Sequence, residues 1–93
     1  MFERPRGTRD FGTGEMARRL HFENLLEERA RRHGFKRVQT PIFENLNLFT
    51  AKSGPGVIGQ LYSFLDKGER ELTLRPELTA PVMRMVAAER GQM

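Results

Sequence analysis

Two side chains carry the clearest chemistry in this sequence. Glu77 and Thr79 stand two residues apart in Leu72-Thr73-Leu74-Arg75-Pro76-Glu77-Leu78-Thr79-Ala80-Pro81. A carboxylate on a short stiff segment between two prolines is an acceptor for an ammonium group, and charge-assisted bonds of that kind are the strong ones. A threonine beside it adds a hydroxyl that both donates and accepts. The competing reading makes Glu77 a solvated turn residue and Thr79 only a helix cap. These ten residues by themselves favour that plainer reading.

The elements that would position the pair follow from the same stretch. Leu72 and Leu74 alternate with Thr73 and Arg75, the period of a strand. Pro76 has no N–H to give to a ladder, so it ends the strand. Thr79 is a good N-cap, and Pro81 suits the first turn of the next helix. Arg75, Glu77 and Thr79 are therefore expected at a strand-to-helix handover, on a rigid edge.

Composition narrows the classes. The 93 residues suffice for one small domain or part of a larger one. The absence of cysteine excludes disulfides, thiolate metal sites and cysteine nucleophiles within this sequence. No apolar run approaches the roughly 20 residues of a membrane span, and no apolar core follows the basic start, so no signal peptide is expected. The expectation is a soluble cytoplasmic protein. The net charge is +4, with 13 Arg and 3 Lys. Such a balance is compatible with nucleic-acid contact, but a solvated helix face explains much of it. His21 and His33 lack carboxylates at ligand spacing, so neither suggests a metal site or a catalytic base. No catalytic residue and no metal ligand is assigned.

Along the chain, Pro5, Gly7 and Gly12 break the first 13 residues. Gly14 to His33 is predicted as a helix, capped by Thr13 and ended by Gly34. Phe22, Leu26 and Ala30 give it an apolar stripe that Arg19, Glu23 and Glu27 interrupt. Glu27 with Arg31 and Glu28 with Arg32 are i,i+4 pairs of the favourable order. Phe35 to Glu44 is predicted extended, with Pro41 demoting it to an edge, bend or interface strand. Leu46 to Lys52 is predicted as a short helix or turn. Residues 54–59 are glycine-rich and predicted as a flexible loop; they lack the spacing of a Walker-type phosphate loop. A β-hairpin is predicted over 61–75, with Gly68 as the turn glycine. Thr79 to Glu89 is the last helix. A tight hairpin leaves no room for a crossover, so the fold class is α+β with an antiparallel sheet flanked by helices.

Several stretches resemble the histidyl-tRNA synthetases, which are class II aminoacyl-tRNA synthetases. Leu74-Arg75-Pro76-Glu77-Leu78-Thr79-Ala80-Pro81 looks like their amino-acid-binding loop. Arg6-Gly7-Thr8-Arg9-Asp10-Phe11 resembles their opening segment, although Gly12-Thr13 stands where Leu-Pro is usual. The helix, Gly34-Phe35 and the Pro41 segment, about 14–44, resemble motif 1, and Gln39-Thr40-Pro41-Ile42-Phe43-Glu44 resembles its histidine-specific version. Leu48 to Gly54 and Leu61 to Gly68 are also similar, with Leu65 replacing an acidic residue.

The resemblance implies an N-terminal part of a class II catalytic domain, with the histidine-binding loop at 74–81. It implies that Glu77 and Thr79 contact the amino group of substrate histidine and that Pro41 lies in a homodimer interface. It implies a full-length enzyme that activates histidine with ATP and Mg²⁺ and transfers it to tRNA(His). The family's motif 2 arginine, motif 3 and imidazole-reading loop have no counterpart in these 93 residues, so the piece alone is expected to be inactive and to bind no cofactor. Two alternatives stand beside this: a histidine-sensing paralogue like the regulatory subunit of ATP phosphoribosyltransferase, and a dimerisation fragment. The synthetase version of the motif is favoured by Glu77 and Ala80-Pro81, where the paralogues tend to carry Asp and Pro-Gln.

Overall fold

The computed structural model describes residues 1–91. Elements run α1 (Thr13–Arg32), β1 (Phe43–Asn45), α2 (Asn47–Ser53), a 3₁₀ helix (Pro55–Gln60), β2 (Ser63–Leu65), β3 (Glu71–Leu74) and α3 (Thr79–Glu89). They divide into two compact units, Met1–Arg37 and a second that begins at Val38. No helix among the described residues is long and apolar enough to cross a membrane.

The first unit is α1 and its flanks. The helix begins one residue earlier than its composition suggests. Gly12, not Thr13, is the N-cap residue and offers no side-chain cap; its carbonyl accepts from Met16 N–H at 2.9 Å. Glu15 in the first turn and Arg29, Arg31 and Arg32 in the last complement the helix dipole. Gly34 ends the helix at φ +85°. Its N–H reaches Arg31 O and the Phe35 N–H reaches Ala30 O, the paired bonds of a Schellman motif. The expected Glu28–Arg32 pair forms at 2.8 Å. Glu27 turns instead to Arg37, at 3.6 Å. The N-terminal arm is held by Phe11, whose ring carries the guanidinium groups of Arg9 and Arg19 at 4.7 and 4.8 Å. The apolar stripe of α1 buries no residue; Phe22 and Leu26 are both more than half exposed.

The second unit holds a three-stranded antiparallel sheet in the order β1-β3-β2. β3 is central, pairing Phe43 with Leu74 on one side and Phe64 with Leu72 on the other. The extended segment pairs only from Phe43 onward; Pro41 lies outside the strand, as a residue without a ladder donor must. Leu46, Phe49 and Leu72 form the apolar core, with Pro81 of α3 also buried. Burying side chains of this size stabilises by about 1.5–3 kcal/mol each, so polar links share the task of fixing this unit. Thr73 is fully buried, and its hydroxyl lies 3.0 Å from Leu74 O and 3.3 Å from Tyr62 O.

Two local expectations are corrected. Residues 54–59 do not form an open loop: Pro55 starts a 3₁₀ helix there, for which its fixed φ is suited. In the 66–70 turn, Gly68 does not take the left-handed conformation; Glu69 does, at φ +60°. The turn is held instead by Asp66. Its Oδ1 accepts from the N–H groups of Gly68 and Arg70 at 2.9 and 2.8 Å, and its Oδ2 accepts from Arg70 Nε at 2.8 Å. The Arg70 N–H foremost among these donors holds the Asp66 carboxyl below its ordinary pKa.

Candidate amino-acid site

Glu77 and Thr79 lie at the N-terminus of α3, where the polypeptide turns off β3 after Pro76. Thr79 is not the cap. It is the first helical residue, and Leu78 occupies the N-cap position without a side-chain bond. Glu77 takes over the capping role. One carboxylate oxygen, Oε2, accepts a short bond from the Thr79 N–H. The Ala80 N–H lies 3.2 Å from both oxygens. A carboxylate beside helix N–H groups is favoured by the dipole and satisfies donors that have no intrahelical partner. The residue types explain the swap: Leu78 has no polar atom, and the glutamate before it is long enough to reach past.

This self-contact does not consume the group. A carboxylate has about four lone-pair sites, and two N–H donors occupy part of them. Glu77 and Thr79 are both exposed. The Thr79 hydroxyl makes no hydrogen bond among the described residues. Both side chains line one cavity of about 610 Å³. Leu48, Phe49 and Met83 supply its apolar wall, and Ser53 and Arg84 add polar groups. An acceptor pair at the rim of a largely apolar cavity suits a small zwitterion with a planar or apolar side chain.

Two arrangements fix this edge, and neither was singled out from the sequence. Arg75 folds back on the Pro41 segment: its Nη1 lies 3.0 Å from Thr40 O, 3.2 Å from Thr40 Oγ1 and 3.3 Å from Pro41 O, while its N–H donates to Ile42 O at 3.0 Å. Arg84 on α3 meets Glu44 on β1. Its Nη2 donates to Glu44 Oε2 at 3.1 Å. Its Nε sits 2.9 Å from Oε1, close enough for an ion-pair contact but off the hydrogen-bonding direction. A charge inside the otherwise apolar run Val82-Met83-Arg84-Met85-Val86 was the available signal.

Among the described residues, no three His, Asp or Glu side chains converge as a metal site. Arg84, the arginine in the cavity wall, is committed to Glu44.

A small antiparallel sheet, with a helix launched from a Pro-Glu turn at its central strand, is a partial class II synthetase-like domain. The sequence profile of histidyl-tRNA synthetase matches residues 7–92, and the chain belongs to that family. It is 55% identical over 86 residues to histidine–tRNA ligase of Methanosarcina acetivorans, covering 92% of this chain and 21% of that protein. Against histidine–tRNA ligase of Archaeoglobus fulgidus it is 56% identical over 87 residues, 94% of this chain and 21% of the relative. The chain thus spans about a fifth of the length of these relatives. Apo histidyl-tRNA synthetase from S. aureus superposes with a TM-score of 0.84 at 37% identity, over 99% of this chain and 25% of that one. A Bacillus halodurans protein described as an ATP phosphoribosyltransferase regulatory subunit/histidyl-tRNA synthetase superposes at 0.78 and 29% identity, over 98% of this chain and 24% of that one.

Proposed function

We propose that this chain is the amino-acid-binding part of a histidine–tRNA ligase. In this reading Glu77 accepts the ammonium group of histidine and Thr79 adds its hydroxyl. The imidazole lies toward the apolar wall of Leu48, Phe49 and Met83. The observation that carries the reading is the convergence of Glu77 and Thr79 on one cavity, with the Thr79 hydroxyl unengaged. Family membership and the identity to named ligases support it.

The whole reaction forms histidyl-adenylate from histidine and ATP with Mg²⁺, then transfers the histidine to tRNA(His). Groups that hold the phosphates and the metal belong to residues outside these 93, so the chain alone is expected not to activate histidine. In a homodimeric parent, the Pro41 segment would face the second subunit, and the protein would work in the cytoplasm. The test is histidine-dependent ATP–pyrophosphate exchange on the 93-residue chain, with light scattering for its assembly state. No exchange is expected; exchange by the purified chain would overturn the reading of it as a part.

A second reading, a histidine sensor, draws on the Bacillus halodurans likeness. Both readings share the histidine site. They part at adenylate formation by the complete protein, which the ligase reading requires.

A further inference from the structure

Glu44 is the middle residue of a three-residue strand, and its side chain is only 7% exposed. Its strand partner Thr73 is fully buried. A carboxylate in such surroundings is unfavourable unless a cation meets it, and Arg84 does, from α3. Stability alone does not demand this solution, because a buried ion pair is often no better than a well-packed apolar pair of similar volume. An apolar pair lacks direction. A guanidinium bound to a carboxylate has a defined plane and distance, so it fixes how far α3 advances past β1 and how it is rotated about its axis.

That constraint falls near the site. Arg84 lies five residues after Thr79, about one and a half turns along α3, and lines the same cavity as Glu77 and Thr79. The first N–H groups of α3 are the ones that hold the Glu77 carboxylate. Glu77 precedes α3, on the turn off β3, so rotation or sliding of the helix would draw those donors and the Thr79 hydroxyl away from the Glu77 oxygens.

We propose that Glu44 and Arg84 are a positioning pair that sets the placement of Glu77 and Thr79 for the amino-acid ligand. The purpose assigned to the pair rests on the histidine-site reading; its effect on the α3 N-terminus does not, and the two are measured separately. The experiment compares the parent chain with Glu44→Gln, with the apolar double variant Glu44→Leu/Arg84→Met, and with the swap Glu44→Arg/Arg84→Glu. Amide exchange is read at Thr79 and Ala80, with the sheet amide of Leu74, which donates to Tyr62 O, as internal reference.

Protection at Thr79 and Ala80 is expected in the parent. In the apolar double variant these two amides are expected to exchange at least about 10-fold faster while Leu74 keeps its protection, and the charge swap is expected to restore part of the loss. Unchanged exchange at 79 and 80 in the double variant would overturn the proposal. So would equal loss at Leu74, which would make the pair a general stabiliser, or a parent without protection at 79 and 80. Histidine titration of the parent then tests the site reading by itself: failure to bind histidine with protection intact would remove the ligand and leave the positioning role.

Discussion

Arg75 reaches back 35 residues to Thr40, its Nη1 lying 3.0 Å from the Thr40 carbonyl oxygen. This contact joins the segment before β1 to the residue two positions ahead of Glu77. Thr40 is 6% exposed, so the acceptors it offers are poorly reached by water. Substituting Arg75→Ala leaves the buried Thr40 carbonyl without this donor, which is expected to destabilise the second unit by about 1–3 kcal/mol. Arg75→Lys keeps the charge but not the fork, and an intermediate loss is expected. Urea unfolding followed by circular dichroism measures both.

The 66–70 turn gives a prediction in pH. The folded-state pKa of Asp66 is depressed, chiefly by the Arg70 N–H. A depressed carboxyl contributes stability that is fully present above its unfolded pKa, about 3.9, and is lost as pH falls through the lower folded value. As pH falls from above the unfolded value through the lower folded one, the parent is therefore expected to lose stability that Asp66→Asn lacks already. Thermal midpoints across that range should show a flatter curve for Asp66→Asn. Parallel curves would mean that Asp66 does not govern the turn.

Glu69 and Gly68 should respond in the opposite sense to a glycine-in-the-turn rule. Glu69 sits at φ +60°, where a side chain costs about 1–2 kcal/mol. Glu69→Gly relieves this but adds unfolded-state freedom, so a net stabilisation of up to about 1 kcal/mol is expected. Gly68→Ala demands no positive φ. Its Cβ would meet the flexible Arg70 side chain at 3.4 Å and Asp66 Oδ1 at 3.5 Å, so a small change is expected. Chemical denaturation of the two variants side by side decides this.

How far the sequence carried these conclusions depended on the range of the interaction. Gly34 after the last helical turn, Pro76 after β3 and Pro81 inside α3 were legible because each acts through its own backbone. The Thr13 and Thr79 caps were not. Helix entry can be satisfied by a neighbouring residue, and Glu77 outcompeted Thr79 because its longer side chain reaches two amides. Gly68 was misleading for a related reason: Asp66 holds the turn strongly enough to force Glu69 into the left-handed region. Glu44–Arg84 and Arg75–Thr40 were illegible because partners 40 and 35 residues apart have no local pattern. Glu77 and Thr79 stood out through the family motif, while what the structure adds is the cavity they share.

The central claim is that Glu77 and Thr79 receive the ammonium group of histidine. It is tested most directly by following the Thr79 and Ala80 amide resonances as L-histidine or N-acetyl-L-histidine is added, in the parent and in Glu77→Gln. A charge-assisted bond of about 1.5–3 kcal/mol predicts roughly 10- to 100-fold weaker histidine binding in Glu77→Gln. The predicted result is perturbation of both amides by histidine, little response to the N-acetylated form, and that weakening. Equal responses to the two ligands, no response to histidine, or unchanged affinity in Glu77→Gln would contradict it.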